Sequence, residues 1–507
     1  MNSATINRRQ TLAAVAAATV GLADSSVAKP ARAADFAAAA AHQPLLQPFK
    51  GVSDATGDLQ SEALIRGRWP AALRGRFYRN GPALFERNGE RYHHWFDGDG
   101  MVQQFTLADG RITHRGRLVQ TAKLRAEKQA GRFLRSALGT VIDDNGAPAS
   151  GPDGFNTANT NVLEHGGRLL ALWEGGSAYA LDARDLSTQG PVIWRKDLHQ
   201  VPFSAHPKID PSGHLWNIGT SGAAIVAWHI NPQGELAQVQ VGTSPYPGGM
   251  VHDMAVTDRY LVVPLPPVSL DFGNTRNPDG PRRFALKAGE PLRMLVMDKN
   301  DITQRRVFEL PPQMVFHVGN AHETSNGQVV LSYIGAPDAW FLDQGAVALM
   351  AATPSPAGSV NTQFATLDMR TGKARVQSIE GEVEFPRIDP RRIGLSARWL
   401  LTAASWRSFA DRKNALLHGL QLLDTHSGRT QRYDYGEHMV VEEHILVPKP
   451  GKSGELDAWL LGTAFDARRQ ATLLNVLDAA HIADGPIAQA VLPYLLPLGF
   501  HGNFTAA

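Results

Sequence analysis

Four of the eighteen histidines stand apart from the rest. His206 lies in Phe203-Ser-Ala-His206-Pro, His252 in Met250-Val-His252-Asp, His317 in Val315-Phe-His317-Val-Gly and His501 in Gly499-Phe-His501-Gly. Each borders an apolar or small residue at the edge of a segment that reads as strand. His42, His165, His199 and His426, by contrast, sit in polar surroundings and read as solvated side chains. Taken singly, an apolar-flanked histidine is most often a core residue with a satisfied hydrogen bond; four alike point to a metal. No helical His-x-x-x-His pair occurs among them, and they are separated by 46, 65 and 184 residues. Ligands so far apart converge only where distant elements aim at one axis. Imidazole suits iron, copper, nickel and zinc, and the spacing does not choose among them. His501 is also six residues from a chain end that would ordinarily fray, so an ordered role is expected there.

Composition narrows the chemistry. The chain of 507 residues has no cysteine, which removes disulfides, thiolate nucleophiles, iron–sulfur clusters and thiolate zinc sites. A metal must then be held by His, Asp or Glu. A formal charge of +2, with both signs interspersed, favours neither nucleic acid nor an anionic surface as the main partner. At 43% hydrophobic and 19% charged residues the composition is that of a folded globular protein.

The elements that must position these histidines read as short strands. Apolar or alternating runs recur at 102–107, 169–173, 215–218, 260–263, 292–297, 329–333, 399–403, 459–463 and 473–477. Turn signals separate them, including Asn88-Gly89, Asp109-Gly110, Pro211-Ser-Gly213, Asn326-Gly327 and Ser427-Gly428. Helical pattern is confined to 126–138 and 345–352, so alternating α/β units are not expected. A single closed β architecture is suggested: at about 40–50 residues per blade a propeller would use seven blades, with stacked sandwiches the alternative. As a helix, 126–138 would set Phe133, Leu134 and Leu138 beside Arg132 and Arg135, suiting either an interfacial segment or a lid over a binding tunnel.

The N-terminus reads as an export signal. Arg8-Arg9 precede a moderately apolar stretch at 13–23 and the Ala31-Arg32-Ala33 pattern of a cleavage site. Residues 1–33 are expected to form a twin-arginine signal peptide and 34–507 a single domain, exported folded to the periplasm or beyond in a bacterium.

The order of short motifs resembles the carotenoid cleavage oxygenases. Those motifs are Arg79-Asn-Gly-Pro82, His94-Trp-Phe-Asp-Gly-Asp-Gly-Met101, Leu172-Trp-Glu174-Gly-Gly, His206-Pro-Lys-Ile-Asp and His252-Asp. They continue in Phe316-His317 with Asn320-Ala321, Glu384-Phe-Pro-Arg387, Glu443 with Val447-Pro448, and Gly499-Phe-His501-Gly. The resemblance runs from about Gly67 to Phe504. It implies a seven-bladed β-propeller with a loop and helical cap over the metal face, and Fe(II) bound by His206, His252, His317 and His501 as the catalytic centre. It further implies that Glu174, Glu384 and Glu443 bond the far nitrogens of three of these rings, the choice of Glu443 over Glu442 resting on the Val-Pro register.

The implied reaction is cleavage of a carbon–carbon double bond of a carotenoid or apocarotenoid by O2 to two carbonyl products. Trp95, Phe155, Phe272, Trp340, Phe341 and Trp406 are candidates for the lining of a substrate tunnel, and peripheral membrane contact would help to collect such a substrate. Two other functions fit the same scaffold: stilbene cleavage, and carotenoid binding without catalysis. The stilbene cleavers of the family engage the phenol through a tyrosine and a lysine; Tyr92 and Lys123 fall in the corresponding region, with Lys123 reading as a surface side chain.

Overall fold

The computed structural model describes residues 31–142, 151–246, 250–271, 283–355, 358–406 and 414–507, and antiparallel sheet dominates it. Apart from Trp173, each of the apolar runs lies within a strand: Asp99–Ala108, Arg168–Leu172, Leu215–Ser221, Tyr260–Leu265, Leu292–Asp298, Gln328–Ala336, Trp399–Ser405, Ala458–Asp466 and Ala471–Asp478. Asn88-Gly89 and Asp109-Gly110 take φ of 52° and 78°, and of 52° and 74°. Two successive positive φ values are what a tight two-residue hairpin requires, and Asn, Asp and Gly tolerate them best.

Among the described residues, seven sheets of four or five strands follow one another, accompanied by one three-stranded and one two-stranded sheet. Most are simple meanders, such as Lys208–Ile209, Leu215–Ser221, Ala224–Ile230 and Leu236–Thr243. The first and last large sheets exchange strands. His501–Ala506 pairs with Gly75–Leu84 in the first sheet, while Leu64–Gly67 pairs with Pro486–Val491 in the last. The C-terminal strand is thereby tied into a ladder, which explains an ordered His501.

Inner strands are buried on both faces, and all nine residues of Ala458–Asp466 are inaccessible. Neighbouring sheets pack through apolar faces; Phe77 and Phe105 of the first meet Trp459, Leu461 and Leu474 of the last. Burying a side chain of this size contributes about 1.5–3 kcal/mol, so such seams account for much of the stability.

Helix is sparse, as expected, but its limits differ from the sequence reading. One helix, α1, spans Ala33–Ala40; α2 spans Ala122–Ala130; α3, Ala346–Ala351, continues the π-helical turn Phe341–Gly345. The Thr121 hydroxyl caps α2 by accepting from Leu124 N, and Gly131 ends it at φ 65° in the left-handed region. The amphipathic helix expected at 126–138 therefore stops at Ala130. Phe133 is buried with its ring 4.1 Å from that of Tyr92, so it is core, not an interfacial side chain. No helix among the described residues is long and apolar enough to cross a membrane.

Around α1 and α3 lies an apolar cluster containing Phe36, Phe49, Trp95, Leu349, Met350 and Phe500. Ala31–Arg32 pairs with Glu90–Arg91. The twin-arginine pair and the apolar stretch after it, and Phe272, lie outside the described residues.

Candidate metal centre

One of the four histidines, His317, and two of the carboxylates expected beside the rings, Glu384 and Glu443, come from strand irregularities. The strand Met314–Glu323 loses register with its neighbour between Val315 and Val318, leaving Phe316 and His317 outside the ladder. Likewise Glu382–Arg387 slips between Glu384 and Arg387, and Met439–Pro448 slips between Val441 and His444, releasing Glu442 and Glu443. A β-bulge turns side chains away from the regular alternation and re-aims them, which these three strands use at the same depth. Phe385 adopts a left-handed φ of 57° in the second of them. His501 opens the closing strand, His252 lies just before Ala255–Val256, and His206 just before Lys208–Ile209.

The result is convergence. One nitrogen from each of His206, His252, His317 and His501 lies within 4.8 Å of the others, and all four residues are buried. His501 Nδ1–H donates to Glu443 at 2.9 Å, His317 Nδ1–H to Glu384 at 2.5 Å, and His252 Nδ1–H to Glu174. With Nδ1 carrying the proton, each Nε2 lone pair faces the common centre, and the Nε2 atoms of His252 and His317 stand 3.1 Å apart. His206 Nε2 is buried with no hydrogen-bond partner among the described residues. Inward lone pairs and an orphaned ring nitrogen are what a divalent transition metal ion would satisfy.

At His206 and His501 electrostatics favours the neutral ring that a metal needs. Burial pushes His501 down to about 4, a shift that Glu443 only partly offsets. His206 is driven far below the ordinary histidine value by burial and by the neighbouring rings. At His317 burial acts the same way, but Glu384 outweighs it and raises the ring. Burial would raise the Glu443 carboxyl, yet Arg387 and His501 hold it well below the usual carboxylate range. Arg387 donates to both Glu443 oxygens at 2.8 Å, and Gly502 N donates to one of them. The adjacent Glu442 turns away to Arg79 at 2.9 Å and to Gly499 N.

A cavity of about 660 Å3 reaches His252, His317 and His501. Trp95, Phe155, Trp340 and Phe341 are on its wall, as the sequence suggested, whereas Trp406 packs on His418 instead. Lys123 is not the surface side chain expected from sequence. It is fully buried, donating to the Tyr92 hydroxyl (2.8 Å), Asp99 (2.9 Å) and Glu127 (3.1 Å). Two carboxylates, one of them four residues along α2, make burial of the ammonium tolerable. Neither Tyr92 nor Lys123 lines the cavity among its described residues.

The retinal pigment epithelial membrane protein family matches residues 53–506. The chain belongs to that family. It is 30% identical over 488 residues to apocarotenoid-15,15'-oxygenase of Synechocystis, covering 87% of this chain and 92% of that protein. Lignostilbene-alpha,beta-dioxygenase isozyme III of Sphingomonas paucimobilis is 29% identical over 474 residues, covering 87% and 93%. The structure of the cobalt-substituted Synechocystis apocarotenoid oxygenase superposes with a TM-score of 0.80 at 26% identity, covering 92% of this chain and 99% of that one. The fold is the all-β propeller of those oxygenases.

Several contributors escaped the sequence reading. Arg387, Lys208 and Asp253 each stand inside quoted motifs, but their pairing with groups dozens of residues away carries no local signal. The bulges likewise have no composition of their own; only Phe385-Pro386, where proline cannot donate to a ladder, marks one of them.

Proposed function

We propose that the chain is an Fe(II) dioxygenase that cleaves a carbon–carbon double bond of a carotenoid or apocarotenoid to two carbonyl products. The observation that carries this is the position of the four-histidine cluster at the wall of a large, aromatic-lined cavity. His206, His252, His317 and His501 would hold the metal, and Glu174, Glu384 and Glu443 would fix three of the rings. Four neutral ligands leave up to two positions on a six-coordinate iron, where it would supply activation of dioxygen. The carboxylates and Arg387 place a net negative shell around a dication. Cavity walls of Trp, Phe and Leu would bind an apolar polyene, exclude bulk water and hold one bond beside the site.

Incubating the Fe(II)-loaded protein with an apocarotenal and with a hydroxystilbene under 18O-labelled oxygen, and weighing the carbonyl products, tests this reading. Labelled aldehydes from the polyene support it. Products from the stilbene alone would replace it with the stilbene reading, and none from either would favour a carotenoid-binding propeller. The burial of Tyr92 and Lys123 in their own ion cluster, away from the cavity, favours the polyene.

The same proposal takes each of the seven large sheets as one propeller blade and residues 34–507 as one domain. It also takes residues 1–33 as a twin-arginine signal, supported by Arg8-Arg9 and Ala31-Arg32-Ala33. Mass measurement of the N-terminus of exported protein checks the signal; an intact Met1 in that fraction overturns its removal. Membrane contact would have to use a surface other than 126–138, where Phe133 is buried. Full recovery from liposomes in the supernatant would remove it.

A further inference from the structure

The histidine cluster is reached from two sides. Against the apolar cavity stand His252, His317 and His501, whereas His206, His317 and His501 line a second cavity of about 520 Å3. That second cavity is the more polar of the two, its wall carrying much less apolar surface than the first. Glu164, Asp210, Asp253 and Glu443 face it, countered by Lys208, Arg387 and Arg391.

We propose that the polar cavity is the route by which a hydrated divalent metal ion reaches and leaves the four-histidine site, with His206 the ligand that closes behind it. This rests on reading the cluster as a metal centre. A dication cannot keep its water shell between Trp95, Phe341 and Leu349, and shedding the shell before any ligand replaces it is strongly unfavourable. In the polar cavity carboxylate oxygens can replace waters one at a time.

His206 is distinguished from its partners in three ways. It lines the polar cavity and is absent from the described wall of the apolar one, so it stands on the side from which the ion arrives. Its ring is the one of the four with no carboxylate in bonding range among the described residues: Asp253 is the nearest, 4.0 Å from Nδ1. Asp253 is already committed to Lys208 (2.8 Å), Met254 N (2.6 Å) and Val318 N (2.8 Å). Finally, His206 sits, like His252, on a stretch outside any ladder, but there it stands between Ser204, at a left-handed φ of 75°, and Pro207. Three rings locked by Glu174, Glu384 and Glu443 form a preset cup, and the fourth can rotate.

Cobalt(II) uptake by the metal-free protein, followed by its visible absorption, and its loss to a chelator read the route directly. Ile209→Trp narrows the polar cavity beside Lys208, and Leu138→Trp narrows the apolar one. Ile209→Trp is expected to slow both uptake and loss by about tenfold, equivalent to ~1.4 kcal/mol of barrier, while the final content stays at one ion per chain. Leu138→Trp is expected to leave both rates unchanged and to impair turnover of a polyene. A wild-type measurement removes any dependence on variant folding: filling the apolar cavity with a straight-chain non-ionic detergent should not alter cobalt exchange. Exchange slowed by detergent or by Leu138→Trp, or untouched by Ile209→Trp in a protein with wild-type circular dichroism, would overturn the route. In metal-free protein the His206 ring resonances should be broadened by microsecond–millisecond exchange while those of His252, His317 and His501 remain sharp. A sharp His206 signal would overturn its part as the closing ligand. A protein that takes up no cobalt at all would instead refute the metal centre itself.

Discussion

Replacing Glu443 by glutamine probes the support of the metal centre more sharply than replacing a ligand. Its two oxygens accept from His501 Nδ1, Gly502 N and both arms of Arg387, all at 2.8–2.9 Å. A glutamine keeps one acceptor but presents an NH2 group toward either His501 Nδ1–H or Arg387, where only donors stand. Losing such a partner to a metal-binding histidine costs about 10–100-fold in metal affinity, or roughly 1.4–2.7 kcal/mol. It also leaves Arg387 without its counter-charge. Removing one side of a buried pair costs about 3–5 kcal/mol; the lower end is expected, because the Arg387 side chain keeps its bond to Gly502 O and is 27% exposed.

Glu384→Gln is the control, since among the described residues Glu384 accepts only from His317 and from its own neighbour Phe385 N. Competition titration with a cobalt chelator and urea unfolding of the metal-free proteins separate the two effects. Both variants should lose metal affinity, but only Glu443→Gln should lose about 3 kcal/mol of metal-free stability, as expected of a broken buried pair. Wild-type affinity in Glu443→Gln, or equal stability loss in both, would refute the assigned division between holding a ligand and anchoring a charge.

Other outcomes follow from the same geometry. Lys123→Met should destabilise the fold by about 3–5 kcal/mol by stranding Asp99 and Glu127 in the interior, and a companion Glu127→Gln should recover part of it, measured by urea midpoint. His114 and His444 are buried and held down, to about 3 and about 4. The unfolded chain therefore binds protons at these positions first, and stability should fall as pH drops from about 6.5 toward 4, by up to ~1.4 kcal/mol per unit per histidine. His444→Asn should flatten that slope, and an unchanged slope would count against the burial. Truncation before Pro497 removes His501 together with the strand that closes the first sheet; the product should retain no metal and should not elute as a compact monomer on gel filtration.

Much of this was legible in the chain. Strand runs such as 169–172 and 260–263 are continuous apolar segments, and local pattern alone sets such elements. Helix limits were read less well: the apolar residues after Gly131 suggested a longer helix, whereas Phe133 serves the core beside Tyr92. Lys123 shows the same limit. A lysine reads as exposed until the fold brings Asp99 to it; Glu127, four residues along α2, is a local partner, but the burial of the whole cluster is tertiary. The Val-Pro register was enough to name Glu443 over Glu442 as one of the three carboxylates expected to bond a ligand ring, without saying which ring. The role of Glu442, bonded to Arg79 across hundreds of residues of sequence, was beyond any local reading.

The central claim is that four histidine nitrogens hold one metal ion at the end of an apolar cavity. Anomalous diffraction at the iron edge from crystals of the Fe(II)-loaded protein tests it most directly. The expected result is a single strong peak equidistant from Nε2 of His206, His252, His317 and His501, with no carboxylate oxygen bound. A peak elsewhere, or one ligated by Glu174, Glu384 or Glu443, would contradict the account.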